Sequence, residues 1–488
     1  MASPPWAIVA PSPSIPERLL VFSDVHLGSD LNDRGQSPRR TSDIDSDLVE
    51  LLRHYGAMPS DAERWRVVIA GDFIDFIGMT VAPSDASDGL TTELTEEEHK
   101  HGLGSSADHA RVKLQRVATR HSNVFDALAE LLAGGHALTV VHGNHDVEFH
   151  WDEVKADFRD LLLSRALAVR PDLDAEAFLG RIDFEPWFYY WKGVAYIEHG
   201  HQYDPYCAND HVMAPLSPLD PRRVMRGFSS ILLRFVVRQT RGMTEHGHEQ
   251  SGVFDYLRFA ARLGVRGLFG LAARFTMAVV ELFRLRRAHF SSAIAALHAE
   301  HERRIGLLAE ATRLGIDRIR SLVALQVPPV TRSIRGILAS VLLDRIALAV
   351  LSVLLLIVVA IVGAYRGHVL YAGLGVALAW FLVHKYLSRQ RQLDPADEMV
   401  NRATALSRLL PAAFVVMGHT HLPVEQSIPG GDARYINLGS WAEEEDDQGF
   451  AGVAYRAART HLVIEVQEGQ AQAELRAWAP DGPQRFNA

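Results

Sequence analysis

Nineteen consecutive residues, Ile346 to Ala364, carry no charge and consist mainly of Leu, Val, Ile and Ala. As a helix this run would be ~28 Å long, close to the ~30 Å hydrocarbon thickness of a bilayer. A second apolar run begins at Val369 and continues to about Leu387. A soluble helix of this length usually keeps a polar face. We therefore predict a transmembrane hairpin of two helices, at about 346–364 and 369–387; a hydrophobic hairpin buried in a soluble core is the alternative.

A hairpin returns the chain to the side of the membrane that it left, so the segments before and after it can meet there. Arg366 is the single charged residue at the turn of the hairpin. Six basic residues flank its two outer ends: Arg332, Arg335, Arg345, Lys385, Arg389 and Arg391. Segments rich in Arg and Lys beside membrane helices remain on the cytoplasmic side of the membrane. Residues 1–16 are rich in proline and lack a basic start followed by an apolar core, so we expect a flexible N-terminus rather than a signal peptide. The prediction is a cell inner membrane protein with its larger part facing the cytoplasm.

Five short polar clusters are distributed on both sides of the hairpin. Each follows an apolar run that is typical of a buried strand, such as Leu19–Phe22 before the first and Phe414–Met417 before the last. Loops at strand ends, with adjacent glycines, allow the backbone to approach an ion closely. The clusters are Asp24-Val25-His26, Gly71-Asp72-Phe73-Ile74-Asp75, Gly143-Asn144-His145-Asp146, His199-Gly200-His201 and Gly418-His419-Thr420-His421.

Together the clusters supply carboxylate, amide and imidazole ligands for two divalent metal ions. Mn, Fe, Zn or Mg would fit such a ligand set. Two cations about 3.5–4 Å apart make a hydroxide that attacks a phosphate ester at neutral pH. The pattern therefore predicts phosphoester hydrolysis by metal-bound hydroxide. It leaves open whether the substrate is a monoester, a diester or a pyrophosphate. The alternation of strands and helices indicates an α/β fold.

The five motifs, in this order and followed by Tyr435–Trp441, resemble the calcineurin-like metallophosphoesterase superfamily over residues 17–215 and 405–488. The resemblance implies an α/β sandwich of two β-sheets flanked by helices, here interrupted by an α-helical insertion at 216–404 that carries the hairpin. It also implies the ligand sets. One metal would be held by Asp24, His26, Asp72 and His421, and the second by Asp72, Asn144, His199 and His419.

Three further polar residues of these motifs receive roles beside the metals. His145 adjoins the ligand Asn144 and is not needed as a ligand, so it is the candidate general acid for the leaving oxygen. The resemblance gives Asp75 the task of orienting His145. Asp146 is expected to support the ligands, and His201 either contacts the phosphate of the substrate or caps a turn.

Two positions separate the chain from the Ser/Thr protein phosphatases of the superfamily, which carry Arg where Phe76 stands and Glu where Asp146 stands. The motifs are more similar to the bacterial branch that includes the UDP-2,3-diacylglucosamine pyrophosphohydrolases. The alternatives are a nuclease or cyclic-nucleotide phosphodiesterase of the same superfamily, or a catalytically inactive membrane scaffold. Every ligand position is filled, which favours an enzyme, and the net charge of −9 argues against a nucleic-acid partner.

The insertion is strongly basic before the hairpin. From Pro221 to Phe290 there are thirteen arginines, no lysine and four acidic residues. Basic helices with apolar faces are typical of membrane surfaces, and their arginines would attract an anionic substrate, for example a lipid-linked one. The alternative is a helical cap on the catalytic domain with its arginines facing solvent.

Polar composition also marks the stretch from Thr91 to Ser106, for which we expect a solvated or mobile insertion. An auxiliary metal site formed by its histidines and their neighbour, His99, His101 and His109, is the alternative. Cys207 is the single cysteine, so no disulfide framework is available, which is typical of a reducing compartment.

Overall fold

The structure is a computed structural model. It describes residues 17–32, 42–57, 64–83, 89–240, 243, 258–259, 261–366, 369–389, 395–442 and 458–486. The expected flexible N-terminus at 1–16 and the flanking Arg391 lie outside the described residues.

Twelve strands in the described residues form two sheets. The strands are β1 (Glu17–Phe22), β2 (Arg64–Ala70), β3 (Ala137–Val141), β4 (Ile182–Glu185), β5 (Phe188–Trp191), β6 (Ala195–Glu198), β7 (Phe414–Met417), β8 (Val424–Ser427), β9 (Arg434–Asn437), β10 (Thr460–Gln467), β11 (Gln470–Ala479) and β12 (Gly482–Arg485). The seven-stranded sheet has the order β12-β11-β10-β1-β2-β3-β4, and the five-stranded sheet has the order β5-β6-β7-β9-β8.

Fourteen α-helices accompany these sheets in the same part of the chain. They are α1 (Ser42–Gly56), α2 (Glu96–His101), α3 (Ala107–Arg120), α4 (Ser122–Ala133), α5 (Asp152–Val169), α6 (Ala175–Leu179), α7 (Phe228–Leu232), α8 (Gly264–Ala288), α9 (Ala293–Thr312), α10 (Ile316–Val323), α11 (Ile334–Ser340), α12 (Leu343–Arg366), α13 (Val369–Arg389) and α14 (Pro395–Leu409). The fold is therefore a mixed α/β architecture.

The two sheets pack face to face through one hydrophobic cluster, to which β1 contributes Leu19 and Val21 and β7 contributes Phe414 and Val416. The outer face of the larger sheet is covered by helices of the first half of the chain, including α1, α4 and α5. The outer face of the smaller sheet is covered by α9, α10 and α14. Strands β1, β2 and β3 run parallel, and so do β6 and β7. Because parallel strands end at the same sheet edge, the loops after them collect in one place.

The described part of the arginine-rich segment packs on the first half of the chain. A hydrophobic cluster joins Ile77, in the loop after β2, to α7, α8 and α11. Four of its arginines pair with acids of that half, Arg223, Arg234 and Arg238 being buried and Arg226 half-buried: Arg223 pairs with Glu98, Arg226 and Arg234 with Glu97, and Arg238 with Asp75. Neither expectation for these four arginines was right, since their charged groups pair with carboxylates of the first half instead of facing solvent or membrane. Pairing offsets part of the cost of burying their charge.

Helix α8 differs from this buried part. Arg262, just before it, and Arg266, Arg284 and Arg287 within it are exposed. The same helix also exposes Val265 and Phe269. This mixture is the composition expected of a helix at a membrane surface.

The stretch around α2 was expected to be solvated or mobile; its first part, with Glu96, His99 and Lys100, is solvent-exposed, whereas residues 101–106 are buried. Thr95 and Glu98 form a reciprocal capping box at the start of α2, and Glu98, His101 and His109 are buried. Sequence composition misled at Glu98 because its charge is paired with Arg223, far along the chain. Among the described residues, the groups with metal-ligand spacing do not include His99, His101 or His109.

Helices α12 and α13 form the hairpin, and both contain a span long and apolar enough to cross a membrane, Leu343–Val362 and Val369–Leu387. Neither span is buried within the described protein, which argues against the alternative of a buried soluble hairpin. Arg345 at the start of α12 donates to the Leu387 carbonyl oxygen near the end of α13, 3.3 Å away. The hairpin therefore leaves and re-enters the body of the protein at one place.

Candidate metal centre

Backbone strain is concentrated at the predicted ligands. Nine non-glycine residues in the described part of the chain have a positive φ angle. Five of them are predicted metal ligands: Asp24, His26, Asp72, His419 and His421. Residues other than glycine rarely adopt this conformation, and its clustering is typical of functional sites. The turns point these side chains together at the carboxyl ends of β1, β2 and β7.

The first ligand group contains Asp24, His26 and His421. His421 Nε2 lies 3.1 Å from Asp24 Oδ1, and His26 Nε2 lies 4.0 Å from the same oxygen and 3.7 Å from Asp72 Oδ2. His26 is buried, and neither of its ring nitrogens has a hydrogen-bond partner among the described residues. Burial is the main cause that lowers the pKa of His26 to about 3, and the charge of the nearby His145 is the second. The His26 ring is therefore neutral. A neutral imidazole with an unsatisfied nitrogen is suited to bind a metal.

The second ligand group surrounds His199. Its Nε2 lies 3.2 Å from Asp72 Oδ2 and 3.0 Å from Asn144 Oδ1. Its Nδ1 donates to the carbonyl oxygen of Ala70, 3.0 Å away, which fixes the ring and directs Nε2 into the centre. Asp72 Oδ2 therefore faces both His26 and His199, as a bridging ligand would.

His419 closes the second group with a partner that the sequence did not reveal. Its ring centroid lies 5.2 Å from that of His199, and its Nε2 lies 3.0 Å from Asp204 Oδ2. Asp204, Cys207 and His419 also form a group with metal-ligand spacing. Asp204 lies three residues after His201, at the end of a short 3-10 turn. Its closeness to a predicted motif was the only signal in the sequence.

The predicted acid and its orienting carboxylate are in contact. His145 Nδ1 lies 2.7 Å from Asp75 Oδ1. Asp75 is fully buried and His145 is 16% exposed, so the ring reaches the surface of the centre. Although burial opposes it, contact with His145 and Arg238 holds the pKa of Asp75 well below its usual range. A permanently charged carboxylate fixes the tautomer of the imidazole, which carries its proton on Nδ1.

Asp146 and His201 lie beside the two ligand groups. Asp146 accepts hydrogen bonds from the backbone amides of Phe73, at 2.8 Å, and Gly143, at 2.6 Å. It thereby ties two ligand loops together, while burial and the charge of Asp72 raise its pKa to about 7. His201 starts the 3-10 turn, and its ring centroid lies 5.4 Å from that of His199. This position fits either role expected for His201.

The segment after the last cluster holds the first ligand in place. The backbone amides of Trp441 and Ala442 both donate to the Asp24 carbonyl oxygen, at 3.1 and 3.0 Å, and Ser440 Oγ donates to it at 3.1 Å. Trp441 is fully buried against the core. These bonds stabilise the strained backbone of Asp24.

The charges of the centre fit bound cations. Although burial opposes both shifts, His421 lowers the pKa of Asp24 to about 2, while Asp72 and Asp24 raise the pKa of His199 to about 9. The negative charge of the carboxylates thus favours a cation at the point where the candidate ligand atoms converge. Together with the unsatisfied nitrogens of His26, this donor set of carboxylates, imidazoles and one amide suits divalent transition metals.

Comparisons of the chain with protein-family models and with curated proteins found no match.

Proposed function

We propose that the chain is a membrane-anchored, dinuclear metal-dependent phosphoesterase with a calcineurin-like metallophosphoesterase fold. One observation carries the proposal. Asp72 Oδ2 lies between the two imidazoles, 3.2 Å from His199 Nε2 and 3.7 Å from His26 Nε2, and the remaining predicted ligands gather around this pair. A shared carboxylate between two histidine-containing groups is the arrangement that a two-metal site needs.

Two ions would be held by the two groups, with Asp72 common to both. Divalent cations in such a site activate water and neutralise the charge that develops on the phosphate oxygens. The chain contributes rigid ligand positions, since Ala70 orients His199 and the Tyr435–Trp441 segment fixes Asp24. Mn, Fe, Zn and Mg are the candidate ions.

His145 is proposed to deliver the proton that the leaving oxygen requires. Because its Nδ1 is engaged by Asp75, its Nε2 is the nitrogen that can donate to the substrate. The T-shaped contact between the His145 and His26 rings, with centroids 4.6 Å apart, keeps His145 beside the first ligand group. General acids of this kind contribute about 10²–10⁴ to the rate.

The hairpin is proposed to anchor the enzyme in the cell inner membrane with its active site on the cytoplasmic side. Support comes from the exposure of α12 and α13 and from the arginines that flank them. The exposed basic and apolar face of α8 would lie on the same membrane surface, where it would favour an anionic, lipid-linked substrate.

The test is a phosphoester panel assayed with the full chain in detergent, after chelation and reloading with Mn²⁺, Mg²⁺ or Zn²⁺ in turn. The panel contains soluble mono- and diesters, a nucleoside-diphosphate-linked compound and a lipid pyrophosphate. We expect hydrolysis that chelation abolishes, with the lipid-linked compound preferred. Hydrolysis of none of these compounds with any ion would contradict the proposal, and equal rates on soluble and lipid esters would remove the lipid preference alone.

A further inference from the structure

Arg238, which belongs to the inserted helical segment, places its positive charge against Asp75, the residue that contacts His145. It is separated from Asp75 by 163 residues, yet its Nη2 donates to Asp75 Oδ2 over 3.0 Å. Its Nη1 donates to the carbonyl oxygen of Ser29, 3.1 Å away, in the loop that follows the first ligand cluster. The side chain is 3% exposed. One guanidinium therefore links the loops after β1 and β2.

The contact completes the coordination of the Asp75 carboxylate. Oδ1 accepts from His145 Nδ1 and from the Gly78 amide, each at 2.7 Å, while Oδ2 accepts from Arg238. With donors on both oxygens, the plane of the carboxylate is fixed, and so is the ring of His145 that it holds. The chain leaves space for this contact, since a Cβ on Gly78 would lie 1.9 Å from Asp75 Oδ2 and 2.4 Å from Arg238 Nη2.

Arg238 is itself held by the inserted helices. It follows the π-helical turn Leu233–Val237, a rare backbone form that is common at functional sites. Within that turn, Arg234 pairs with Glu97 and donates to the carbonyl oxygens of Gly102 and Leu103. Arg274 of α8 donates to Thr240 Oγ1 over 3.0 Å, on the other side of Arg238.

The same helices continue to the membrane hairpin. One hydrophobic cluster contains Ile77, Val236, Leu282 of α8 and Ile337 of α11, and α11 directly precedes α12. Ile77 lies two residues after Asp75. The membrane module is thus packed against the loop that carries the orienting carboxylate.

We propose that Arg238 is a positioning residue, by which the docked insertion holds Asp75 and, through it, the proton-donating ring of His145. The inference rests on the proposed function. It gives the insertion a part in catalysis beyond anchoring, because undocking the helices would free the Asp75 carboxylate to rotate and would disorder His145.

The experiment measures hydrolysis of two phosphate esters by the Mn²⁺-loaded full chain in detergent. The two substrates differ only in their leaving group. One ester has a nitrophenolate leaving group, which departs without a proton, and the other has an alkoxide, which needs one. The variants are Arg238→Ala, His145→Ala and the double variant. Arg66→Ala is the matched control, since Arg66 is a buried arginine that pairs with Asp183 within the larger sheet and does not belong to the insertion.

We expect Arg238→Ala to lower kcat on the alkyl ester by about 10–100-fold, part of the contribution of a general acid, with KM nearly unchanged. The nitrophenyl ester should lose far less, and adding Arg238→Ala to His145→Ala should cause little further loss. Arg66→Ala should lower the thermal midpoint while leaving the ratio of the two rates unchanged. If Arg238→Ala does not fold, Arg238→Met, which keeps the length of the side chain without a hydrogen-bond donor, gives the same comparison.

Equal losses on both esters, a raised KM at unchanged kcat, or additive losses in the double variant would overturn the positioning role while leaving the proposed function intact. A wild-type chain that hydrolyses neither ester would instead overturn the proposed function, and the inference with it.

Discussion

The backbone amide of His419 donates a hydrogen bond to Asp24 Oδ2 over 3.2 Å, across 395 residues of chain. Between these residues lie the arginine-rich segment and both apolar helices of the hairpin. The contact can form only because the hairpin brings the chain back to the point from which it left. Assembly of the candidate metal centre and the return of the hairpin are therefore one structural requirement.

The first prediction separates metal binding from proton donation. Asp72→Asn should lower the metal content per chain, since the bridging charge is lost. It should also lower the turnover by at least about 100-fold. His145→Ala should retain the metals but lower kcat on an alkyl ester by about 10²–10⁴. Elemental analysis and steady-state kinetics measure the two effects, with Asp172→Asn at an exposed turn as the control. A fully active His145→Ala variant would remove His145 as the acid.

The second prediction concerns Gly71, which has a φ of +88° and directly precedes Asp72. A Cβ there would lie 2.5 Å from His199 Nδ1, so Gly71→Ala should displace His199 and weaken metal binding. Gly193 is a matched control with a φ of +79°, where an added Cβ would meet no atom within 4 Å. Gly193→Ala should cost only about 1–2 kcal/mol, for the left-handed backbone, and leave metal affinity unchanged. Equal metal affinity in the two variants would contradict the assigned position of His199.

The third prediction is a pH-dependent stability that comes from the docked insertion. Although burial opposes the shift, Arg226 and Arg234 hold the pKa of Glu97 well below its ordinary value of 4.5. A lowered pKa in the folded state contributes stability above that ordinary value, and the contribution disappears as the pH falls below it. Glu97→Gln should therefore destabilise the chain by about 3 kcal/mol at neutral pH and by less in acid. Thermal midpoints against pH measure this, and Glu96→Gln, exposed on the same helix, should show no such trend.

The fourth prediction concerns the hairpin. Because Arg345 and Leu387 are in contact, replacing residues 343–389 by a short Gly-Ser linker should leave the rest of the fold connected as before. The shortened protein should be released into the supernatant when membranes are washed with high salt, which screens the attraction of α8 to the surface, and should hydrolyse a soluble ester at about the wild-type rate. Sedimentation of the wild type and of the variant with the membranes to the same extent would contradict the role of the hairpin.

The loops that carry the candidate ligands were predictable from sequence because each depends on a local pattern, an apolar run followed by Asp, Asn or His. The hairpin was predictable for a similar reason, since its length and apolar composition are local properties. Arg238 and Asp204 were not predictable, because their roles depend on partners brought near by the fold: Asp75 for Arg238 and His419 for Asp204.

Buried ion pairs misled the sequence interpretation in the same way. Glu98 and Arg223 are polar residues in polar stretches, and composition alone suggests solvent exposure for both. Their contact over 125 residues buries them together. A single sequence carries no signal for such a pairing.

The dinuclear centre is tested most directly by anomalous scattering from crystals of the full chain loaded with Mn²⁺. We expect two peaks about 3.5–4 Å apart, one on each side of Asp72, with His26 and His421 beside one and His199 and Asn144 beside the other. A crystal of the loaded chain with no peak at Asp72, or with Mn²⁺ bound only elsewhere, would contradict the dinuclear centre on which the proposed function depends.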